Sequence, residues 1–352
     1  MENKAGRFHG RIGPEEIQIK LVSQASRIYS PDCGNRNSIK MQPIIAPVDR
    51  KLIKQELTPD RFLRHTNKGE NHLYVVDAHN APHTMREIGR LREEAFRLAG
   101  GGTGKECDID EFDTMAEPCR QLIVWNPAEE EILGGYRFLA GDKVEMKDGE
   151  PRIAMAHIFE FSETFLTEYL PDTLELGRSF VSAQYQNVRA GSKGLYALDN
   201  LWDGLGALTV VYPHLKYLFG KVTMYPAFGR ENLDLILGFL NKHFPDPDHL
   251  VWPKHPVATK AMSAEIQSVF SGKDYKEDYR ILHHIIREKG HNIPPLVNAY
   301  MSLSPTMRMF GTAVNDDFGN VEESGIFLTI SEILEEKKER HIETYKEEIA
   351  NE

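Results

Sequence analysis

Residues Leu174–Met224 read LELGRSFVSAQYQNVRAGSKGLYALDNLWDGLGALTVVYPHLKYLFGKVTM, and this stretch decides the fold. Leu174–Val181 has the apolar alternation of a strand, with Glu175 and Arg178 set into it. The run Arg189–Gly194, with glycines at Gly191 and Gly194, predicts a turn that delivers two cations, Arg189 and Lys193, to the start of a helix near Leu195. A helix start presents N–H groups without intrahelical partners, so it suits a phosphate. Leu198, Leu201, Trp202, Leu205 and Leu208 recur at helical spacing and predict one buried face. Tyr217–Tyr225 then resumes as a strand. The unit is strand, turn, helix, strand, and it carries a carboxylate, a guanidinium and an anion site.

Each part also has a plain reading. Glu175 and Arg178 can form a structural ion pair, because buried charges are retained by pairing. The turn departs from the acetyltransferase phosphate loop Gln/Arg-x-x-Gly-x-Gly/Ala, since its glycines fall two and five residues after Arg189.

Taken in order, Glu175-Leu-Gly-Arg-Ser179, Leu201-Trp-x-Gly-Leu205 and Tyr217-Leu-Phe-Gly220 resemble the ornithine-lipid N-acyltransferase family and its glycine-acylating relatives. These proteins have a GNAT-like fold, are related to the acyl-homoserine lactone synthases, and are often labelled hemolysins. Further matching segments are Leu91-Arg-x-x-x-Phe96, Asp108-x-Asp-Glu-Phe-Asp113, Gly134-Gly-Tyr-Arg-Phe-Leu139 and Ile293-Pro-Pro-Leu-Val-x-x-Tyr300, so the likeness spans roughly residues 70 to 330. It implies an α/β fold with a mixed, mostly antiparallel central sheet flanked by helices. It also implies transfer of a long, 3-hydroxylated acyl group from an acyl carrier protein thioester, or coenzyme A, to the α-amine of glycine or ornithine. No permanently bound cofactor is implied, and the product is a lyso-aminolipid. An acetyl-coenzyme A-dependent acetyltransferase and a noncatalytic membrane-associated protein are the alternatives.

Within that resemblance, Glu175 is the expected base, because only the neutral amine attacks a carbonyl. Arg178 either orients Glu175 or binds a substrate carboxylate. Backbone N–H groups between Glu175 and Ser179 are the expected donors to the oxyanion, with Ser179 beside the substrate. Asp110 and Asp113 are read in two ways: as turn aspartates satisfying backbone N–H groups, and as holders of the incoming ammonium. Arg137 joins the charge network by resemblance to the lactone synthases. Arg189, Gly191, Lys193 and Gly194 are expected at the phosphopantetheine. Arg189, Lys193, Lys216 and Lys221 are candidates for a basic landing patch for an acidic carrier protein.

Composition fits this class. The 352 residues are ample for a sizeable core, and 41% are hydrophobic. A net charge of −11 argues against nucleic acid as the main partner. Three cysteines, at 33, 107 and 119, are too few and too irregular for a disulfide framework or a zinc site, so they are read as reduced thiols and no metal is expected. No apolar run has the length of about 20 residues that a membrane helix needs, and no signal peptide core is evident. The expected location is cytoplasmic, with peripheral contact at the inner membrane face.

Residues 1–40 are read as an extension with one short helix at Glu16–Ile28, and Met41 is a second candidate start. Residues 41–330 are read as the acyltransferase domain. Residues 331–352 are read as a charged, largely solvated helix capped by Ser331. Gly100-Gly-Gly-Thr-Gly104 lacks the Walker ending and is read as a flexible connector over the site. Ile293–Leu303 is expected to be a strand or buried segment, and Phe310–Gly319 a connection walling the acyl pocket.

Overall fold

The structure is a computed structural model and describes residues 41–186 and 191–351. Arg189 and the helix expected at Glu16–Ile28 lie outside the described residues. In chain order the main elements are α1 (Arg50–Glu56), β1 (Phe62–His65), β2 (His72–Val76), α2 (Pro82–Ala99), β3 (Arg120–Asn126), β4 (Glu131–Ala140) and β5 (Thr173–Val181). They continue with α3 (Gly191–Val211), β6 (Tyr217–Met224), α4 (Arg230–His243), α5 (Tyr275–Glu288), α6 (Pro295–Met301), β7 (Arg308–Asn315) and β8 (Val321–Thr329).

The eight strands form one sheet in the order β1-β2-β3-β4-β5-β6-β8-β7. Every pairing is antiparallel except β5 with β6. That parallel pairing follows from α3, since a helical crossover returns the chain to the same end of the sheet. It runs only from Thr173–Tyr217 to Leu176–Gly220. Beyond that point β5 continues to Val181 and β6 to Met224, and the two are no longer paired. A wedge therefore opens in the middle of the sheet.

The two faces of the sheet differ. One buries Leu122, Val124, Tyr136, Leu176, Val222 and Ile326 in the largest apolar cluster, under α3, α4 and α6. Leu201, Leu205 and Leu208 of α3 join it as the helical spacing predicts, at about 1.5–3 kcal/mol for each fully buried side chain. The other face carries two separate apolar clusters. One lies under α2 around Ile123, Trp125 and Phe180, and the other around Leu139, Phe159, Phe219 and Phe327. Between them the sheet presents Gln121, Arg137, Glu175, Lys221 and Glu323, a seam of polar and charged groups.

Several expectations are corrected here. Pro43–Arg64, which the sequence suggests is a mixed helical segment, ends in the edge strand β1, Phe62–His65. Ile293–Leu303 contains the helix α6, and most of Phe310–Gly319 belongs to β7 and a short 3-10 turn. Phe310 packs among Phe165, Phe219 and Phe327 on the seam side of the sheet, away from the large apolar face.

The glycine run after α2 is a pinned turn. Gly100 takes the left-handed conformation, φ +95°, that ends α2, where a side chain would be strained. Glu93, fully buried, then accepts from Thr103 N at 3.0 Å, Thr103 Oγ1 at 2.7 Å and Gly104 N at 2.8 Å. Three such bonds to one carboxylate hold the segment in place.

The C-terminal segment also differs from the solvated helix expected. It runs through Glu335–Lys338, a π-helical turn at Glu339–Glu343, and Thr344–Ala350, and it buries Ile333, Ile342 and Tyr345. His341 Nδ1 lies 2.7 Å from Asp203 Oδ1 of α3, and Asn67 Nδ2 donates to the same oxygen at 2.7 Å. The sparse apolar residues of this segment suffice because α3 supplies a buried polar partner and a glycine. A Cβ on Gly206 would stand 2.2 Å from the His341 carbonyl oxygen. Gly206→Ala is therefore expected to destabilise the protein by about 1–3 kcal/mol, as overpacking does. Urea unfolding measures this, and an unchanged midpoint would mean that the helix is not seated on α3.

Candidate active site

The local irregularity of β5 builds the site. Gly135 pairs with Phe180 but Arg137 pairs with Gly177, so β5 holds one residue more than β4 between these points. This is a β-bulge at Arg178–Ser179, and Arg178 sits at φ +49°. A non-glycine residue held there costs on the order of 1–3 kcal/mol and persists only where its surroundings enforce it. In a regular strand, residues 175 and 178 would face opposite sides. The bulge turns Arg178 back to the seam side, where Arg137 and Glu175 also lie.

The expected pairing of Glu175 with Arg178 is not what forms. Arg178 Nε stands 2.8 Å from Asp108 Oδ2 and its Nη2 3.4 Å from Asp110 Oδ2, with the guanidinium 4.9 Å from the centre of the Phe318 ring. Asp108 and Arg178 are close in charge but misaligned for a hydrogen bond, so neither oxygen of the buried Asp108 has a hydrogen-bond donor. Arg137 Nη1 reaches both Asp110 oxygens at 2.7 Å and Asp113 Oδ2 at 3.4 Å. Arg92 of α2 lies 3.2 Å from the same Asp113 oxygen and also bonds Gln121 of β3, whose amide donates to Asp113 Oδ1 at 3.0 Å. A buried charge needs such partners, and here three arginines and three aspartates supply them to one another.

Asp110 and Asp113 thus serve both the chain and the network. Asp110 caps the helical turn Glu111–Thr114, accepting from Phe112 N at 3.0 Å and Asp113 N at 3.2 Å, and Asp113 returns the bond to Asp110 N at 3.2 Å. Burial opposes the charge of Asp110, but Arg137 and then Arg178 hold its carboxyl well below the usual carboxylate range. Asp113 is fully buried against Arg92 and Gln121, with no surface exposed to an incoming ammonium.

Glu175 stands in the seam with Arg137 and Lys221, whose positive charges act on it. It is only 5% exposed, and its Oε1 accepts from Met155 N at 3.1 Å. Burial raises its pKa above the ordinary value of 4.5, outweighing the opposing pull of Arg137, the Met155 N–H and Lys221. A carboxylate poised in this way accepts a proton more readily than an exposed one. Lys221 pairs with Glu323, which also accepts from Asn315 Nδ2 at 2.7 Å and Thr223 Oγ1 at 3.1 Å.

Lys221 is therefore largely buried and is removed from the landing patch. Lys216 is exposed but tied to Asp172 at 2.6 Å. Ser179 is separated from Glu175 by the sheet itself. Its hydroxyl neighbours those of Tyr136 and, beyond it, Tyr300, on the large apolar face. Gly191, Lys193 and Gly194 fall in the first turn of α3, so the helix includes residues expected in the preceding turn. That turn faces the same end of β5 at which the wedge opens, since only nine residues separate Val181 from α3. The thiols of Cys107 and Cys119 are pushed up by burial to about 11 and about 12, so both stay protonated and unreactive near neutral pH.

Sequence reasoning passed over Asp108, Arg92, Glu323 and Tyr136 as site residues. Asp108 and Arg92 had a signal, since each lies in a segment already singled out. Tyr136 had one too, in the segment Gly134–Leu139, whereas Glu323 had none, because strand pairing alone brings it to the site.

Comparison with known proteins identifies relatives of this chain. Residues 91–194 match the family model described as acetyltransferase (GNAT) domain. A glycine N(alpha)-acyltransferase of Bacteroides thetaiotaomicron is 60% identical over 308 residues, covering 87% of this chain and 91% of that protein. One from Phocaeicola vulgatus is 59% identical over 306 residues, covering 87% and 94%. Among solved structures, the AHL synthase LasI aligns with 44% of this chain and 74% of its own, at 17% identity and a TM-score of 0.30. No helix among the described residues is long and apolar enough to cross a membrane. With this identity over most of both lengths, and the matching acyltransferase domain, the chain belongs to the glycine N(alpha)-acyltransferase family of GNAT-fold N-acyltransferases.

Proposed function

We propose that this N-acyltransferase moves a long-chain 3-hydroxyacyl group from an acyl carrier protein thioester to the α-amine of glycine, giving an N-acylglycine that serves as a lyso-aminolipid. The names of the 60% and 59% identical relatives support glycine over ornithine as acceptor. The observation that carries the chemistry is the wedge itself. Where β5 and β6 part, a buried carboxylate stands on one face and a large apolar cluster lies on the other. An amine approaching from the charged side meets a thioester held from the apolar side.

Glycine arrives as an ammonium, and Glu175, directly or through a water, takes one proton. The freed nitrogen attacks the thioester carbon. The oxyanion that develops is held by backbone N–H groups along the edge of β5 that β6 leaves unpaired. The nitrogen–carbon bond then forms fully, the carbon–sulfur bond breaks, and the carrier thiol leaves with the second proton that the amine gives up. Arg178, the least buried of the three network arginines, binds the acceptor carboxylate. Gly191, Lys193 and Gly194 at the start of α3, with Arg189, hold the phosphopantetheine phosphate.

Glu175→Gln tests the base. It is expected to lower kcat about 100- to 10,000-fold with an unchanged melting temperature, since positioned general bases contribute on that scale. In wild type, ionised Glu175 is the active form, so kcat/KM should rise with pH through an apparent pKa above 4.5. The variant should retain only the rise set by the amine itself. A variant acylating at the wild-type rate would remove Glu175 from the mechanism.

Arg178→Met should raise KM for glycine at least about tenfold while leaving KM for the acyl thioester within about twofold, the loss of one charge-assisted contact being of that size. Glycinamide, which lacks the carboxylate, should be a poor acceptor for wild type and lose little further in the variant. If glycine and glycinamide lose equally, Arg178 only shapes the bulge. Products from carrier-bound and coenzyme A thioesters, acetyl-coenzyme A included, are read by mass spectrometry. A protein active with acetyl-coenzyme A alone would be an acetyltransferase.

A further inference from the structure

On the apolar side of the sheet one polar group stands out. Tyr136 of β4 is 2% exposed and belongs to the largest apolar cluster, yet its hydroxyl has no hydrogen-bond partner in the protein. The hydroxyls of Ser179 and Tyr300 are its neighbours without reaching bonding geometry. An unpaired buried hydroxyl is costly, because it gives up water without gaining a partner. Most buried polar groups have partners, so the exceptions mark places where a partner comes from elsewhere.

The position of this hydroxyl tells what the partner is. Tyr136 lies on β4 directly opposite the bulge at Arg178–Ser179, between the Gly135–Phe180 and Arg137–Gly177 pairs, which is where β5 leaves β6. Tyr300 packs edge-on against Trp202 at 5.5 Å. Trp202 in turn lines, with Leu205, Leu218, Leu303 and Ile333, an apolar cavity of about 20 Å³ under the C-terminal segment. Beside the three hydroxyls the surroundings are hydrocarbon, the large apolar cluster to which Tyr136 and Tyr300 belong. The fitting ligand is an apolar chain with one oxygen substituent close to its carbonyl end. Burial raises the pKa of Tyr136, so its hydroxyl stays protonated and can both donate and accept.

We infer that Tyr136, flanked by Ser179 and Tyr300, hydrogen-bonds the 3-hydroxyl of the acyl chain and selects hydroxylated over unsubstituted chains. The inference rests on the acyl-transfer reading above and adds the residue that sets donor specificity. Tyr136 makes this selection from the face opposite Glu175, so it acts on the choice of donor and not on the proton transfer.

The test compares 3-hydroxyacyl and unsubstituted acyl-carrier thioesters of equal chain length, with glycine as acceptor, in wild type and Tyr136→Phe. Wild type should favour the hydroxylated chain in kcat/KM by about tenfold or more, the value of one well-made hydrogen bond in a dry site. In Tyr136→Phe that ratio should fall to near one, with most of the loss on the hydroxylated donor. The variant should melt no lower than wild type, because it discards an unpaired hydroxyl and keeps the ring. Ser179→Ala should lower the ratio in the same direction by a smaller factor.

Equal losses on both donors would assign Tyr136 to the thioester carbonyl or to the fold and overturn the inference. An unaltered ratio in the variant, or a wild type without preference, would overturn it as well. Both results leave acyl transfer to glycine standing. A wild type that transfers neither chain to any amino acid would overturn the acyl-transfer reading and this inference with it.

Discussion

The parting of β5 from β6 after Leu176 and Gly220 is the constraint on which the rest of the molecule depends. Two neighbouring parallel strands normally stay paired for their common length, because an unpaired buried N–H or C=O is costly. Here β5 keeps its other edge on β4 and β6 keeps its other edge on β8, so neither strand is lost when the two diverge. The bulge at Arg178–Ser179 supplies the extra twist that sends β5 away. The sheet stays continuous at its base and open at its top, and the unpaired backbone faces the opening.

That opening explains why so much charge is buried beside it. Arg92, Arg137 and Arg178 with Asp108, Asp110 and Asp113 form a network that hydrophobic residues of equal volume would match or exceed in stability. Its retention makes sense as positioning. Asp110 caps its own helical turn and holds Arg137, Arg137 faces Glu175, and Asp108 draws Arg178 into the strained conformation of the bulge. Removing one partner would leave its opposite number buried and uncompensated, so the network behaves as a unit.

Much of this fold was legible in the sequence, and the reasons are local. The β5-α3-β6 unit declares itself because a strand has period two and a helix 3.6, and Leu198–Leu208 keep the second period without interruption. Glu175 and Arg137 stood out as charges inside apolar strands, and Asp110 stood out through the acidic motif Asp108–Asp113. The partners were not legible. Nearness in sequence suggested that Glu175 pairs with Arg178, whereas the bulge gives Arg178 to Asp108 and leaves Glu175 under the charges of Arg137 and Lys221. Lys221 looked like a surface cation because nothing nearby in sequence announces Glu323, which is 102 residues away and meets it across β6 and β8. The glycine run after α2 looked loose, since the carboxylate that pins it belongs to the helix before it. The C-terminal helix looked solvated because its seat, Asp203 and Gly206, lies on another element.

The two faces of the sheet also settle a conflict in the chemistry. A base must be charged to accept a proton, and charge is best kept away from a dry acyl site, where it would disfavour the apolar chain. A strand divides these demands at no extra distance, because adjacent side chains of β4 point to opposite faces. Arg137 belongs to the charged side and Tyr136 to the apolar side, although they are consecutive in sequence. On the acyl-transfer mechanism proposed above, the wedge joins the two faces, and an amine and a thioester brought from opposite sides would meet at the backbone of β5. Glu175 stays ionisable there because Arg137 and Lys221 offset part of its desolvation, while burial keeps its proton affinity above that of an exposed carboxylate. A stronger cationic environment would lower that affinity and make the carboxylate a poorer base, and a drier one would leave it protonated. The seam holds Glu175 between those limits.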